Sequence, residues 1–499
     1  MAAALIAVCL GSAATAQQNE APDWSHVAAH NRATPPLGLE LVDDLSRAQK
    51  VFETKDAHAG VGKALYGSQR RQGEEIGVDV LPGGTSSMII ADDTIFIAYY
   101  RPSGDVRIPG PKTTFRTVGN REGWNPNIWS IAADDCLVAI DATTGKKKWV
   151  ACNEGKGVNR VSIKRNDWGS SPVYSDGLVF FVGTTGRVYA HDAKTGDLLW
   201  ESKTPGNEWM EADKAEALKE QRWAQSVRGL HTSPRVADDV LVAPALVNDG
   251  LCGFDVETGE RLWTLVDGQQ RFMSRLATPR VWKHDGREYV LAHDSGGTMS
   301  LIDPKNGDVL WRRDGNGQTP GSIPLAGDIA MINISTNDAG DALWGAYRIS
   351  LTGAKKMWSL PEGPKYTHQS KPDSGPRAGY AVRDGVAWFW TGHTKSSKEY
   401  RNADKREHLL LAVDIQTGEI LSETIVQQKH VHPQIVEDKL LLWSDASHGN
   451  PWRVSYFTLD PKGPKPLNVD YTLPASTISG YLVVMDTPVV DGRLYIRTM

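Results

Sequence analysis

Residues Gly186–Trp200 read GRVYAHDAKTGDLLW. Apolar and polar residues alternate through Val188, Ala190 and Asp192, the chain turns at Lys194-Thr195-Gly196, and alternation resumes into Leu198 and Trp200. A period of two, a glycine turn and a second period of two predict a β-hairpin. The same unit recurs. Cys136–Trp149 reads CLVAIDATTGKKKW, Gly250–Trp263 reads GLCGFDVETGERLW and Met299–Trp311 reads MSLIDPKNGDVLW, with a looser copy, LLLAVDIQTGEIL, at Leu409–Leu421. A hairpin cannot bury its apolar faces alone, so self-similarity on this scale predicts a propeller or solenoid whose neighbouring units share one core.

A second signature precedes each hairpin: a strand that opens near a small residue and Pro, then turns at Asp-Gly or a similar pair. It reads SSPVYSDGLVFFVG from Ser170, TSPRVADDVLVAPA from Thr232 and ATPRVWKHDGREYVLAH from Ala277. Later copies are SIPLAGDIAMINIS, RAGYAVRDGVAWFWTG and HPQIVEDKLLLWSD, and a first copy without Pro, SSMIIADDTIFIAYY, starts at Ser86. Leu37–Thr54 resembles half a unit, with an Asp-Asp turn and Phe52 where other copies carry Trp; Val483–Arg497 supplies two strands and stops. The expectation is an all-β closed propeller of about eight four-stranded blades, in which N-terminal outer strands pair with C-terminal inner strands and remove the free edges.

The Asp-x-x-Thr-Gly-x-x-x-Trp hairpin, as in Asp192–Trp200 and Asp255–Trp263, resembles the tryptophan-docking repeat of the pyrroloquinoline-quinone (PQQ) type β-propellers. That superfamily includes quinoprotein alcohol dehydrogenases and the propeller lipoprotein of the outer-membrane barrel assembly machinery. The resemblance runs over Leu37–Arg497 and lies nearer the second. It implies the fold, while function lives in sites grafted onto it. The dehydrogenases carry adjacent cysteines against the quinone, a calcium ion held by carboxylate and amide side chains, and an Asp base. This sequence has no Cys-Cys pair and no Cys-x-x-Cys-His for haem, so neither PQQ with calcium nor another cofactor is expected.

Met1–Ala16, MAAALIAVCLGSAATA, reads as an export leader, an apolar run closed by Ala14-Thr15-Ala16, although it lacks a basic start. Residues 17–36 read as a linker and 37–499 as one propeller domain; the expected location is periplasmic or extracellular. No later apolar run is long enough to span a bilayer. A formal charge of −5 gives no basic excess for nucleic acid, and a monomer is expected. Counting outward from Thr144, Cys136 and Cys152 fall opposite one another, where a cross-strand disulfide or two small buried residues both fit. Cys252 reads as a buried thiol.

Turns inside the strand pairs are short, and in an up-and-down blade they share one face. The opposite face takes the long connections: Arg101–Asp135, Asn153–Trp168, Thr204–Leu230, Pro361–Pro376, Gly392–His408 and Ser444–Trp452. Within the third, Glu211–Trp223 has the charge spacing of a surface helix. Loops on a rigid scaffold carry binding sites, so any site is expected on this face. Residues just ahead of the innermost strands ring the channel there: Trp168, His231, Arg275, Arg377, His430 and Asp486. His430 and His432 stand at i,i+2, and Tyr366 and His368 are candidate acid/base groups beside Arg377. No spacing supports a particular metal, and catalytic residues are not assigned.

Three functions fit these features. The first is an exported binding or assembly scaffold with a protein partner. The second is a carbohydrate-active propeller for an anionic polysaccharide, suggested by Arg107, Lys112, Arg116, Arg121, Arg160, Lys164 and Arg165 interleaved with Trp124, Trp129 and Trp168. The third, a quinone-dependent dehydrogenase, is disfavoured by the missing motifs.

Overall fold

The computed structural model describes residues 5–9, 25–26, 41, 49–54, 64–65, 79–80, 82–84, 86–109, 128–162, 169–205, 232–245, 249–266, 270–273, 277–315, 322–336, 342–361, 367–368, 380–393, 408–426, 432–444, 453–472 and 488–497. Its elements are strands, gathered into eight sheets built on four antiparallel strands and one two-stranded pair. The second blade shows the plan: Val173–Ser175, Leu178–Val182, Val188–Asp192 and Leu198–Ser202, in sequence order across the sheet. The third, Arg235–Ala237 to Arg261–Leu265, and the fourth, Arg280–His284 to Val309–Arg313, repeat it.

Each repeat residue has a physical task. In the third blade, Asp255 Oδ1 accepts hydrogen bonds from the Glu257 and Thr258 amides at 3.1 and 2.8 Å and from Thr258 Oγ1 at 2.8 Å. These donors, with the Thr258 amide foremost, hold the Asp255 carboxyl below its ordinary range. Gly259 has φ +72°, and a Cβ placed there would sit 2.5 Å from the ring of Trp200 in the second blade. That Trp also donates its indole N–H to the Val256 carbonyl at 2.9 Å.

The arrangement steps around the molecule: Trp149 packs on Gly196 and bonds Ala193 O, Trp263 packs on Gly307 and bonds Pro304 O, and Trp358 packs on Gly418 and bonds Ile415 O. The Trp of one blade thus seals against the turn of the next. Burial of the ring satisfies the hydrophobic term, and the N–H finds the acceptor it needs.

A second set of bonds links the blades just ahead of their first strands. Ser87 N–H donates to Ser171 Oγ at 2.8 Å, Ser171 N–H to Ser233 Oγ at 2.9 Å, Ser233 N–H to Thr278 Oγ1 at 3.1 Å and Thr278 N–H to Ser322 Oγ at 2.8 Å. Four bonds tie five consecutive blades. The hydroxyl residues ahead of the Pro signature are the acceptors. Proline has no N–H to contribute, so the residue before it and its side chain carry the link.

The eighth sheet is built from both ends of the chain, in the order Val489–Val490, Arg493–Arg497, Leu5–Cys9, Gln49–Thr54. The outermost strand is the expected one. The third is Leu5–Cys9, from the segment read as a leader, where the sequence pattern pointed to the part of Leu37–Thr54 ahead of its Asp-Asp turn. Phe52 packs on Gly145 of the first blade as the Trp residues do elsewhere, Tyr495 Oη donates to Ala142 O at 3.1 Å and Arg497 donates to Ser86 O at 2.6 Å. Burial lowers the Arg497 guanidinium to about 9, which leaves it charged at neutral pH.

The first blade departs from the plan. Its second, third and fourth strands, Thr94–Pro109, Ile128–Asp141 and Lys147–Ser162, are 16, 14 and 16 residues long, against 5 for each counterpart in the second blade. Arg101–Asp135 and Asn153–Trp168, which read as loops from their Gly, Pro and charge content, therefore contain a ladder running out to Pro109↔Trp129 and Ile128↔Ser162. Pairing between strands distant in sequence overrides a loop-like composition. The three strands form an arm of roughly 25 Å beyond the Cys136↔Cys152 pair, on the long-connection face.

Candidate functional site

The root of the arm is a dense polar centre between the first and second blades. Asp134 and Asp135 lie at a register shift where the arm leaves the blade. Asp135 is buried, and its carboxylate accepts from the Thr184 amide at 2.9 Å, Thr184 Oγ1 at 2.8 Å and Tyr189 Oη at 3.0 Å. Burial raises the Asp135 carboxyl from its ordinary range against these three donors and the more distant Arg187. A Cβ at Gly183 would fall 2.1 Å from Asp135 Oδ2, so the glycine is what lets the second blade close over the acid. Tyr189 is raised in turn, by burial first and then by the adjoining carboxylate.

Around this acid the partners alternate in charge. Asp134 binds the Arg101 guanidinium at 2.7 Å and accepts from the Gly155 amide at 2.8 Å, and Arg101 also reaches Glu154 at 3.2 Å. Glu201 of the second blade receives Arg187 at 2.9 Å and Lys156 at 3.3 Å, so the fourth strand of the first blade is pinned to its neighbour. One pair below the shift, Cys136 and Cys152 stand opposite each other and form a disulfide, with Sγ atoms 2.04 Å apart. Tyr99 Oη lies 3.8 Å from Cys152 Sγ. Hydrogen bonds, ion pairs and a covalent bond thus converge where a projecting sheet needs a fixed base.

Most of the residues singled out from sequence lie outside the described part of the chain. Trp168, His231, Arg275, Tyr366, Arg377, His430 and Asp486 fall there, as do Lys112, Arg116, Arg121, Trp124, Lys164, Arg165 and the expected helix Glu211–Trp223. His368 is placed by its backbone, in a two-residue strand opposite Ala342 that widens the fifth sheet. His432 opens the first strand of the seventh sheet, opposite Trp443. Sequence reading missed Asp135, Thr184 and Tyr189. Asp135 stands at the end of an apolar run, and nothing local reveals that its partners come 49 to 54 residues later.

The described residues do not fit a quinone site of the dehydrogenase kind. Cys136 and Cys152 are bonded across strands, Cys252 is sealed in the core, and no group of three or more His, Cys, Asp or Glu among the described residues is placed to hold a metal ion. Among those residues, too, no helix is long and apolar enough to cross a membrane. What the site offers is shape: an arm anchored at its root to two blades.

Comparison with known proteins agrees with the repeat. A family model described as outer membrane protein assembly factor BamB matches residues 133–338. BamB of Burkholderia pseudomallei (strain K96243) is 26% identical over 236 residues, which cover 43% of this chain and 58% of that protein. A polyvinylalcohol dehydrogenase of Pseudomonas sp is 22% identical over 292 residues, 47% of this chain and 43% of that one. The chain therefore spans little more than half of the first relative and less of the second. Among solved structures, BamB from Moraxella catarrhalis superposes with a TM-score of 0.39 at 16% identity, over 64% of this chain and 79% of that one. The chain has the four-stranded antiparallel sheets of a β-propeller, and over residues 133–338 it is similar to the family described as outer membrane protein assembly factor BamB.

Proposed function

We propose that this protein is an exported binding and assembly scaffold that engages a protein partner through its long-connection face. The observation that carries the reading is the arm of the first blade. Three long strands are held at their root by a disulfide, a buried carboxylate with three donors and two groups of ion pairs. A projection fixed this firmly suits docking, because a surface already ordered loses little entropy on binding. The likeness to a relative named as an assembly factor supports the same role. Met1–Ala16 supports export.

The test is removal of two of the arm's three strands beyond its root, with residues 104–132 replaced by a two-residue Asn-Gly turn. Cross-linking in intact cells, with mass-spectrometric identification of partners, is expected to lose its main protein adducts while the thermal transition of the propeller persists. An unchanged set of adducts would end the reading. Binding to a uronic-acid polysaccharide that disappears with the arm, in place of protein adducts, would transfer it to an anionic glycan. Export is tested separately: the N-terminus of protein recovered outside the cytoplasm is expected to be Gln17.

A further inference from the structure

The bridge between Cys136 and Cys152 stands at a boundary that the other blades define. In the second, third and fourth blades the aromatic residue sits in the pairs Ala190↔Trp200, Gly253↔Trp263 and Leu301↔Trp311. Pairing of the third and fourth strands ends two residues further on, at Val188↔Ser202, Leu251↔Leu265 and Met299↔Arg313. The same count from Ala139↔Trp149 ends at Leu137↔Ala151. Cys136↔Cys152 is therefore the first pair past the common ladder, and it carries the disulfide.

Pairing then breaks. Beyond Asp135↔Asn153 the ladder resumes at Ala133↔Gly157, which leaves out Asp134 on the third strand and Glu154, Gly155 and Lys156 on the fourth. Those three residues of the fourth strand are exposed, and Gly155 has φ +64°. The irregularity is a hinge between blade and arm. Across it the two strands are fastened unequally. The third is fixed by Asp135, whose carboxylate is held by Thr184 and Tyr189 of the second blade. The fourth is held by hydrogen bonds from Asn153 and Gly155 to the third strand and by ion pairs from Lys156 to Glu201 and from Glu154 to Arg101. Exposed ion pairs of this kind contribute little, so the covalent bond is the main tie of the fourth strand to the fixed third.

The two sulfurs differ in access. Cys136 is fully buried, in a cluster with Met88, Ile97 and Tyr99, whereas Cys152 is half-buried and packs against that cluster from outside.

We propose that this bridge is a redox-operated lock on the arm. Oxidised, it clamps the fourth strand to the third; a dithiol reductant entering at Cys152 releases the fourth strand at the hinge. One thiolate of the reductant attacks Cys152 Sγ and forms a mixed disulfide, while the Cys136–Cys152 bond breaks and Cys136 leaves as a thiolate that takes up a proton. The second thiolate of the reductant then attacks the reductant's own sulfur in the mixed disulfide, and Cys152 leaves in the same way. The chain gains two electrons and two protons, and the reductant is oxidised to its internal disulfide. The lock does not depend on what the arm binds; its use in presenting or withdrawing a docking surface rests on the reading proposed above.

The experiment uses the full chain, purified without reductant and then incubated at neutral pH with or without dithiothreitol. Thiols are counted by alkylation in urea and peptide mass spectrometry, and amide hydrogen exchange is followed in parallel. Dithiothreitol is expected to free Cys136 and Cys152 and to raise exchange of Val158–Ser162 at least about ten-fold, with a smaller rise in Ile128–Ala132 and none in Val188–Asp192. Oxidised dithiothreitol is expected to reverse the change. The double variant Cys136→Ala, Cys152→Ala is expected to exchange like the reduced chain whether or not dithiothreitol is present. A bond that resists dithiothreitol in the folded chain overturns the proposal, as does a reduced or doubly substituted chain whose arm exchanges at the oxidised rate. Exchange that rises equally in Val188–Asp192 also overturns it, because the bridge then serves the blades and not the arm. Cross-linked adducts decide the docking reading independently of these rates.

Discussion

The two ends of the same strands are organised by different rules. At the short-turn end of the third blade, the Asp255 carboxylate is satisfied by Glu257 and Thr258 within the turn itself, while the second blade adds the Trp200 ring against Gly259 and the Ser202 hydroxyl on the Gly259 carbonyl. At the long-connection end of the first blade, Asp135 is satisfied by Thr184 and Tyr189 from the next blade. One end is a local motif that the chain repeats; the other is a junction made once. Repetition fixes how blades stack, and the unrepeated junction is where the molecule acquires a feature of its own.

Breaking the repeated end at its aromatic seal has the largest expected effect. Trp263→Ala removes a buried ring packed on Gly307 and is expected to cost about 3–5 kcal/mol in urea unfolding. Gly259→Val imposes a β-branched side chain at positive φ and drives it into Trp200, for about 2–4 kcal/mol. If either change costs under about 1 kcal/mol, docking of the ring on the turn is not what seals the blades.

At the unrepeated end, Asp135→Ala leaves Thr184 and Tyr189 with buried donors and is expected to cost about 2–3 kcal/mol. Asp255→Ala, at the half-buried turn, is expected to cost about 1 kcal/mol. The loss at Asp135 is expected to appear first in the hydrogen exchange of the arm, with blades three to six unaffected. Uniform exchange across the blades would show that the junction serves the whole ring and does not specifically anchor the arm.

Acid sharpens the contrast by separating the two carboxylates. Asp255 is held below its ordinary 3.8 by its turn donors, so its contribution is present above that pH and is lost as pH falls through the lowered value. Asp135 is raised by burial, so its contribution is full below 3.8 and declines as pH rises through the raised value. The costs of Asp255→Ala and Asp135→Ala are therefore expected to move in opposite directions between neutral pH and pH 3. The smallest effect belongs to His191, buried against Phe181 with Nδ1 3.0 Å from Gly196 O. Burial lowers its imidazole from 6.5, so stability is expected to decline as pH falls through the lowered value, and His191→Gln should remove that part of the slope.

How much was legible follows the same division. The Asp-x-x-Thr-Gly-x-x-x-Trp hairpin could be read because the donors to the Asp255 carboxylate, Glu257 and Thr258, lie within a few positions. Phe52 could be placed as a substitute Trp because its spacing from the rest of its half-unit was preserved. The disulfide could be drawn as one of two options, since Cys136 and Cys152 are equidistant from a turn of known type. The hydroxyl bonds escaped notice, although the Ser or Thr near each Pro was their visible trace, because they cross from blade to blade. The arm was mistaken for loops because Gly, Pro and charge signal irregular chain until a distant strand pairs with it. The rim residues chosen by equivalence, Trp168 and His231 among them, lie outside the described part of the chain.

By itself the sequence determined the hairpin, its turn chemistry and the number of times it recurs, because these depend on contacts a few residues apart. Only the tertiary structure decided which strand fills the last blade, how far the first blade extends and what secures its arm. Those outcomes depend on which of several chemically acceptable partners, tens or hundreds of residues away, gains the most burial and the fullest set of hydrogen bonds.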